Sequence, residues 1–291
     1  MENKRDYLDE AVNSKHYSYT NKGLQARAQP FLSTGLPSKP KRILIVGMAL
    51  GGEEEVKAMK YYFPKYQVYG IDVAKSALRH QLNAKLFHAD VAKMAFEDNF
   101  FAGVMCSAVM HEVFSFSNNG IEKVEKAIAE MHRVLVPGGI AAIREFFVPE
   151  NQDAHLLCLT SEAEDFTHKF IEIFRKNFDK SMRDQFRMEG NKVYADIRLL
   201  TEIMLHGRVA FVHSDLKEFF QSKEIEERYL PLSLTEYARM AWQQGFEIIG
   251  VSYNDFSKYY EIIEKHFKIT DTQGNQLKNV FGFTDILLRK K

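Results

Sequence analysis

The chain has 291 residues, 45% of them hydrophobic, so it can bury a full core in one large domain with an elaboration. Lysine plus arginine and aspartate plus glutamate both total 39, and this zero net charge lacks the positive excess that nucleic acid or an anionic membrane attracts. Cys106 and Cys158 have no metal-ligand or CxxC spacing, and the polar N-terminus and the absence of a long apolar run disfavour a signal peptide or membrane span. We therefore expect a cytoplasmic protein with no metal site and no membrane anchor.

Residues 1–40 are polar and include three prolines, so they predict an N-terminal arm without a long helix. Over residues 41–150, short apolar runs alternate with amphipathic stretches, which is typical of parallel strands alternating with helices. The predicted strands are 43–46, 67–71, 84–88, 101–108 and 140–147. The clearest helix precedes the last of these strands, and a Pro-Gly-Gly turn ends it.

Residues 151–230 predict a mostly helical insertion that follows the fifth strand. Its main signal is an apolar stripe with a residue at every fourth position, formed by Phe166, Phe170, Phe174, Phe178, Met182 and Phe186. We interpret the stripe as a packing face, with a cover over an apolar substrate pocket as the alternative. The α/β pattern resumes in residues 231–291, where Ser233 and Glu236 form a capping box and the runs 246–253 and 280–288 predict two more strands.

A glycine-rich loop, Gly47-Met48-Ala49-Leu50-Gly51-Gly52, follows the first predicted strand. Glycines allow a tight turn, and the N-terminus of the next helix offers backbone N–H groups to a polar ligand. Asp72 ends the second strand about 20 residues later, where nucleotide-binding α/β units place the acid that accepts hydrogen bonds from ribose. The alternative is that Asp72 caps the following turn.

Four segments, in order over about residues 41–148, resemble the class I S-adenosylmethionine-dependent methyltransferases. They are IVGMALGG, YGIDVAKSAL, FHADVAKMAF and RVLVPGGIAAIREF. The resemblance implies a Rossmann-like, seven-stranded methyltransferase sheet in the α/β class, with helices on both faces. The Pro-Gly-Gly turn at 137–139 distinguishes this family from the NAD-dependent dehydrogenases, which share a glycine loop and a ribose acid.

The resemblance implies S-adenosyl-L-methionine as the cofactor, and it assigns the cofactor's contacts. The expected cofactor-binding residues are Gly47, Met48, Ala49, Gly51, Asp72, Val73, Asp90, Val91, Ser107 and Ala108. Asp72 would contact the ribose, and Asp90 with Val91 the adenine. Two positions depart from the family: Ile45 stands where an acid is common, and Ala49 where a second glycine is common. The lost acid would have anchored the cofactor's amino group, so the alternatives are weak cofactor binding or an anchor from elsewhere, such as Glu53 or a residue of the arm.

Three further side chains are expected to act on the acceptor: His111, Glu112 and Glu145. His111 and Glu112 follow the fourth strand, and a histidine at the carboxyl end of a strand could remove a proton from a hydroxyl or amine. Alternatively, this pair begins a helix and only shapes the pocket. Glu145 ends the fifth strand and could contact the acceptor, while Tyr17 and Tyr19 of the arm could close over the site.

The sequence favours a methyltransferase that acts on O or N of a small molecule. The segment SAVMHEVF after the fourth strand differs from the NPPY-like tetrapeptide of members that methylate base amino groups, so there is no strong nucleic-acid signal. One alternative is a protein or structured RNA acceptor contacted by the basic cluster at 39–42, and another is a degenerate methyltransferase fold kept as a binding module. An NAD-dependent oxidoreductase is disfavoured, and a homodimer is compatible with the sequence.

Overall fold

The structure is a computed structural model that describes residues 21–48, 52–78, 84–147, 153–177, 185–212, 216–253, 261, 263–278 and 282–291. The chain forms two compact units. The first unit comprises Met1–Glu145, Leu234–Tyr253 and Thr284–Lys291, and the second comprises Phe146–Ser233 and Asn254–Phe283. The predicted C-terminal segment, 231–291, is thus divided between the two units.

In chain order, the helices and strands are α1 (Asn21–Thr34), β1 (Arg42–Val46), α2 (Gly52–Tyr62), β2 (Gln67–Asp72), β3 (Lys85–His88), β4 (Phe101–Ser107), α3 (Met110–Ser115), α4 (Gly120–Val134), β5 (Leu135–Phe147), β6 (Asp153–Cys158), α5 (Ser161–Asn177), β7 (Arg187–Glu189), β8 (Lys192–Asp196), α6 (Ile197–Val212), α7 (Leu216–Gln221), α8 (Leu234–Gln243), β9 (Phe246–Tyr253), β10 (Phe267–Asp271) and β11 (Gly282–Lys290). None of the described helices is both long enough and apolar enough to span a bilayer.

The first unit is built on a seven-stranded sheet in the order β3-β2-β1-β4-β5-β11-β9. Strands β1 to β5 run parallel, and β9 is antiparallel to β11. This arrangement confirms the Rossmann-like sheet that the sequence predicts. The strand order reverses at β1, with β2 on one side and β4 on the other. Open α/β sheets bind ligands at the carboxyl ends of the strands at such a switch point, so the ends of β1 and β4 are where a site is expected.

Helix α1 corrects the prediction that prolines keep the arm from forming a long helix. Pro30 lies inside α1, and it lacks the N–H that would bond to the Ala26 carbonyl. The Arg144 guanidinium supplies a donor instead, with Nη2 3.0 Å from the Ala26 oxygen. Phe31 is fully buried in the core of the first unit. Tertiary contacts therefore offset the proline. Residues 1–20, including both tyrosines of the arm, lie outside the described residues.

The second unit contains a four-stranded antiparallel sheet in the order β10-β6-β8-β7. The sequence predicts a mostly helical insertion over 151–230; α5, α6 and α7 lie within it, and so do the short strands β6, β7 and β8, which the sequence did not indicate. Buried and more exposed side chains alternate along β6 and β8. Each strand has only two or three repeats of this alternation. In the sequence, the four-residue period of the adjoining helix is therefore the stronger signal.

The phenylalanine stripe lies in the core of the second unit. Phe166, Phe170 and Phe174 are buried along α5, and the ring centroids of Phe170 and Phe174 are 5.5 Å apart. Phe186 is buried in the same cluster, but it follows α5 rather than extending it. The stripe is therefore a packing face over the described part of α5. Phe178 and Met182 fall outside the residues that the structure describes.

Candidate functional site

Gly47, directly after β1, lies against Val109, two residues beyond the end of β4. Gly47 has a φ of +81°, in the left-handed region that favours glycine, and its N–H donates to the Ile71 carbonyl at 3.0 Å. A β-carbon at Gly47 would overlap Cγ2 of Val109, and one at Gly52 would lie 2.9 Å from Sδ of Met48. The two glycines thus let the backbone turn tightly at the switch point of the sheet.

Asp72 ties the end of β2 to this loop. The Met48 N–H donates to Oδ2 at 2.6 Å and the Ala74 N–H donates to Oδ1 at 2.7 Å, and Asp72 is only 7% exposed. The bond to Ala74 turns the chain after β2, as the capping alternative suggests. A carboxylate has about four acceptor positions, so these bonds are compatible with a ligand hydroxyl at the same group. The predicted contacts Ala49 and Gly51 lie outside the described residues.

Asp90 lies two residues beyond the end of β3, and its side chain is partly exposed. Its Oδ1 accepts from the Ala92 N–H at 2.9 Å, and its Oδ2 lies 2.6 Å from Nζ of Lys123. Both charged side chains are 36% exposed, so solvent screens the pair. Val91 is buried, whereas Val73, beside Asp72, is 43% exposed. An adenine ring at Asp90 would therefore share the carboxylate with a lysine that the sequence did not indicate.

The chain leaves β4 through a strained residue. Ala108 has a φ of +52°, which costs a residue other than glycine about 1 kcal/mol, and strained backbone of this kind concentrates at functional sites. Its N–H donates to the Arg144 carbonyl at 2.8 Å, next to the last pairing of β4 with β5, between Ser107 and Arg144. This turn directs the next backbone N–H groups toward β5.

Glu145 of β5 receives those N–H groups. Its Oε1 accepts from Val109 N at 2.8 Å and from Met110 N at 2.6 Å, and its Oε2 lies 2.8 Å from Nδ1 of His111. Helix α3 has no capping side chain of its own, so this carboxylate caps it from another strand. The sequence predicts that Glu145 contacts the acceptor, but the structure directs it at α3 and His111. Glu145 is 1% exposed and His111 4%.

This arrangement fixes how the His111 ring can act. A carboxylate at hydrogen-bond distance from Nδ1 favours the tautomer that is protonated there, and in that tautomer Nε2 would be the basic nitrogen. His111 and Glu112 do begin a helix, as the alternative interpretation holds. Glu112 is partly exposed in the first turn of α3, where a negative charge interacts favourably with the helix dipole.

Cys106 does not contribute a nucleophile. Burial raises the pKa of its thiol well above the ordinary value, and the nearby charge of Glu145 raises it further. The thiol therefore remains protonated and unreactive near neutral pH. Within the described ranges, no three histidine, cysteine or acidic side chains converge in a way that could hold a metal ion.

A buried charged cluster lies near the carboxyl end of β4, and the sequence alone did not indicate it. Nη1 of Arg27 in α1 lies 3.3 Å from Oε1 of Glu55 in α2, and Arg144 binds the Asp285 carboxylate at 2.6 and 3.0 Å. Burial raises the pKa of Glu55, while the charges of Arg27 and Arg144 and the nearby Ser107 side chain oppose that shift. The signal in the sequence was weak, namely an arginine within the apolar run of β5.

Comparison with known proteins identifies the α/β core. Residues 46–143 match a family model described as a methyltransferase domain. The matched segment begins at the end of β1 and ends near the end of β5, so it contains the glycine loop, Asp72, Asp90 and His111. No protein of curated function matches the chain.

Solved structures share the fold at low sequence identity. The (4+2)-cyclase SpnF is 13% identical, with 96% of this chain and 84% of that chain covered and a TM-score of 0.50. A geranyl diphosphate C-methyltransferase from Streptomyces coelicolor A3(2) is 11% identical, with 97% and 88% covered and a TM-score of 0.49. A 1,6-didemethyltoxoflavin-N1-methyltransferase from Burkholderia thailandensis is 12% identical, with 99% and 87% covered and a TM-score of 0.48. At these identities the likeness describes the fold and not the reaction.

The strand order, the glycine turn at the end of β1 and the domain match agree with one another. Residues 46–143 are therefore similar in sequence to a methyltransferase domain, and they form the central part of a Rossmann-like sheet.

Proposed function

We propose that the protein transfers the methyl group of S-adenosylmethionine to an oxygen or nitrogen atom of a small molecule. The observation that carries the proposal is the brace between Asp72 and the Met48 N–H at 2.6 Å, which joins the acid at the end of β2 to the glycine turn at the end of β1. Both groups lie at the carboxyl ends of adjacent parallel strands beside the switch point, where this class of sheet binds nucleotides.

The described residues fit the cofactor. Asp72 offers acceptors to ribose hydroxyls, Gly47 supplies the positive-φ turn that packs against Val109, and the end of β4 supplies Ser107 and the Ala108 turn. S-adenosylmethionine supplies an electrophilic methyl group on a sulfonium, so the protein must mainly bind and align the two reactants. The charge balance of the chain and its second unit favour a small acceptor over nucleic acid.

We assign His111 as the group that removes a proton from the acceptor. Glu145 holds Nδ1 of the ring at 2.8 Å and thereby leaves Nε2 as the base. Glu145 acts through His111 and is a positioning residue. With this assignment, Nε2 would face the acceptor. The buried His111–Glu145 pair would then take part in proton removal as well as in capping α3.

A binding module without methyl transfer is the second function considered, and Ile45 is the observation that favours it. Ile45 is fully buried where the family commonly has an acid, and the Asp90 carboxylate is engaged by Lys123. The same fold also occurs in a protein named as a cyclase, and a fold does not determine a reaction. Direct measurement of cofactor binding separates the two functions.

Calorimetric titration of the purified protein is expected to show saturable binding of S-adenosylmethionine and S-adenosylhomocysteine, and none of NAD. Mass spectrometry of the protein incubated with candidate acceptors then identifies a product heavier by one CH2 unit, since the methyl group replaces a proton. Absence of binding to either adenosyl compound at millimolar concentration would select the binding module. Binding of NAD and of neither adenosyl compound would show that the proposed methyl transfer is wrong for this chain.

The neutral His111 ring is expected to carry its proton on Nδ1. Long-range proton–nitrogen NMR spectra of protein labelled at histidine report the tautomer, and a His111→Gln spectrum assigns the signal. With an acceptor in hand, His111→Gln should bind S-adenosylhomocysteine as the parent does and lose about 100-fold in turnover. A ring protonated mainly on Nε2, or unchanged turnover, would remove the general-base assignment.

A further inference from the structure

Glu55 is the most buried of three consecutive acids, and it pairs with an arginine where the other two pair with Lys57. Glu53 and Glu54 both pair with Lys57, each at 2.9 Å, and the lysine side chain is half exposed. Glu55 is 2% exposed and pairs with Arg27 at 3.3 Å, and the Arg27 side chain is only 15% exposed. Taking two charges out of water costs several kcal/mol per ion, and an apolar pair of similar volume is often at least as stable. Stability alone is therefore a weak reason for this pair.

The position of Glu55 connects it to the expected cofactor site. Glu55 lies in the first turn of α2, immediately after the glycine-rich loop, and Ser107 at the carboxyl end of β4 is among the groups that lower the pKa of its carboxyl. Arg27 reaches it from α1, whose helix the Arg144 guanidinium also holds through the Ala26 carbonyl. The buried pair thus lies where α1 meets α2, near the carboxyl end of β4.

After Arg42 at its start, strand β1 offers no charge to a ligand. All four of its residues from Ile43 to Val46 are apolar and buried, and Ile45 packs in the same cluster as Phe31 of α1. The amino-acid end of S-adenosylmethionine carries one ammonium and one carboxylate close together. A site for it needs one buried anion and one buried cation, and the Arg27–Glu55 pair supplies one of each.

We propose that Glu55 and Arg27 bind the amino-acid end of the cofactor, with Glu55 receiving the ammonium and Arg27 the carboxylate. The proposal rests on the proposed function and adds that the anchoring acid has moved from β1 to α2. Arg144 and Asp285 have a different role, since they bind each other through two contacts at 2.6 and 3.0 Å. Arg144 holds α1 in place, which brings Arg27 to Glu55.

The test uses two ligands that differ only at that end. S-adenosylhomocysteine has the amino-acid end, whereas methylthioadenosine keeps the adenosine and the thioether and lacks it. Calorimetry on Glu55→Gln is expected to show a Kd for S-adenosylhomocysteine raised about tenfold or more, and a Kd for methylthioadenosine within about twofold of the parent value. Arg27→Gln is expected to behave similarly.

Glu54→Gln is the matched control, since it makes the same change one residue earlier, in an acid paired with a surface lysine. It is expected to leave both Kd values unchanged. If Glu55→Gln weakens both ligands equally, or neither, the pair is structural and the proposal is wrong although the proposed function stands. If the parent protein binds neither ligand, the proposed function itself fails, and this inference fails with it.

Discussion

Glu145→Ala is expected to lower the free energy of unfolding by about 3 to 5 kcal/mol. The substitution leaves the N–H groups of Val109 and Met110 without the acceptor that lies 2.8 and 2.6 Å from them, at the start of a helix that has no capping side chain of its own. It also removes the partner of Nδ1 of His111 in a buried environment. Several buried polar groups therefore lose their partner through one change.

Urea denaturation at neutral pH, followed by circular dichroism, measures this effect. Glu145→Gln keeps an oxygen acceptor, so we expect it to lose about half as much stability. Glu122→Ala is a control at an exposed acid in the first turn of α4, and it should leave the midpoint nearly unchanged. A Glu145→Ala midpoint close to that of the parent would show that the carboxylate does not cap α3.

The sheet of the first unit could be predicted because its signals are local. Short apolar runs, the glycine turn and the Pro-Gly-Gly turn each lie within a few residues, and together they predicted five parallel strands in order. The link between Glu145 and α3 joins residues 34 to 36 positions apart, so no local pattern reports it. Sequence placed His111 and Glu145 at neighbouring strand ends, but their hydrogen bond needed the structure.

The buried pair of Arg27 and Glu55 escaped prediction for a different reason. Glu53, Glu54 and Glu55 look alike in the sequence, and the rotation of α2 against its neighbours decides which acid is most buried and which pairs with Arg27. Helix α1 was missed because Pro30 is a strong local signal against a helix, while the Arg144 contact that offsets it comes from a strand more than a hundred residues away. In α1, tertiary contacts thus outweigh the low helix propensity of proline. In α2, the packing of the helix sets the burial of each acid.

Asp72→Ala is expected to raise the Kd for S-adenosylhomocysteine about 100-fold or more. Two hydrogen bonds to a buried carboxylate hold the Met48 and Ala74 N–H groups, and each bond of this kind contributes about 1.5 to 3 kcal/mol. Their loss loosens the glycine turn, and the substitution also removes the acceptors expected for the ribose hydroxyls. Calorimetry measures the change, and Asp90→Ala serves for comparison, since its exposed position predicts a smaller loss.

Bracing the loop and binding the ribose are separate roles of Asp72, and a second ligand distinguishes them. The parent protein should prefer S-adenosylhomocysteine over its 2′-deoxyribose analogue, because the analogue leaves a buried acceptor without its hydroxyl partner. Asp72→Asn keeps the size of the side chain and one oxygen, so the fold should tolerate it while the preference shrinks. If the ratio of the two Kd values is the same in both proteins, Asp72 acts only through the loop. The ribose contact would then belong to another residue at the carboxyl end of β2, and the half-exposed Val73 could supply it only through its backbone.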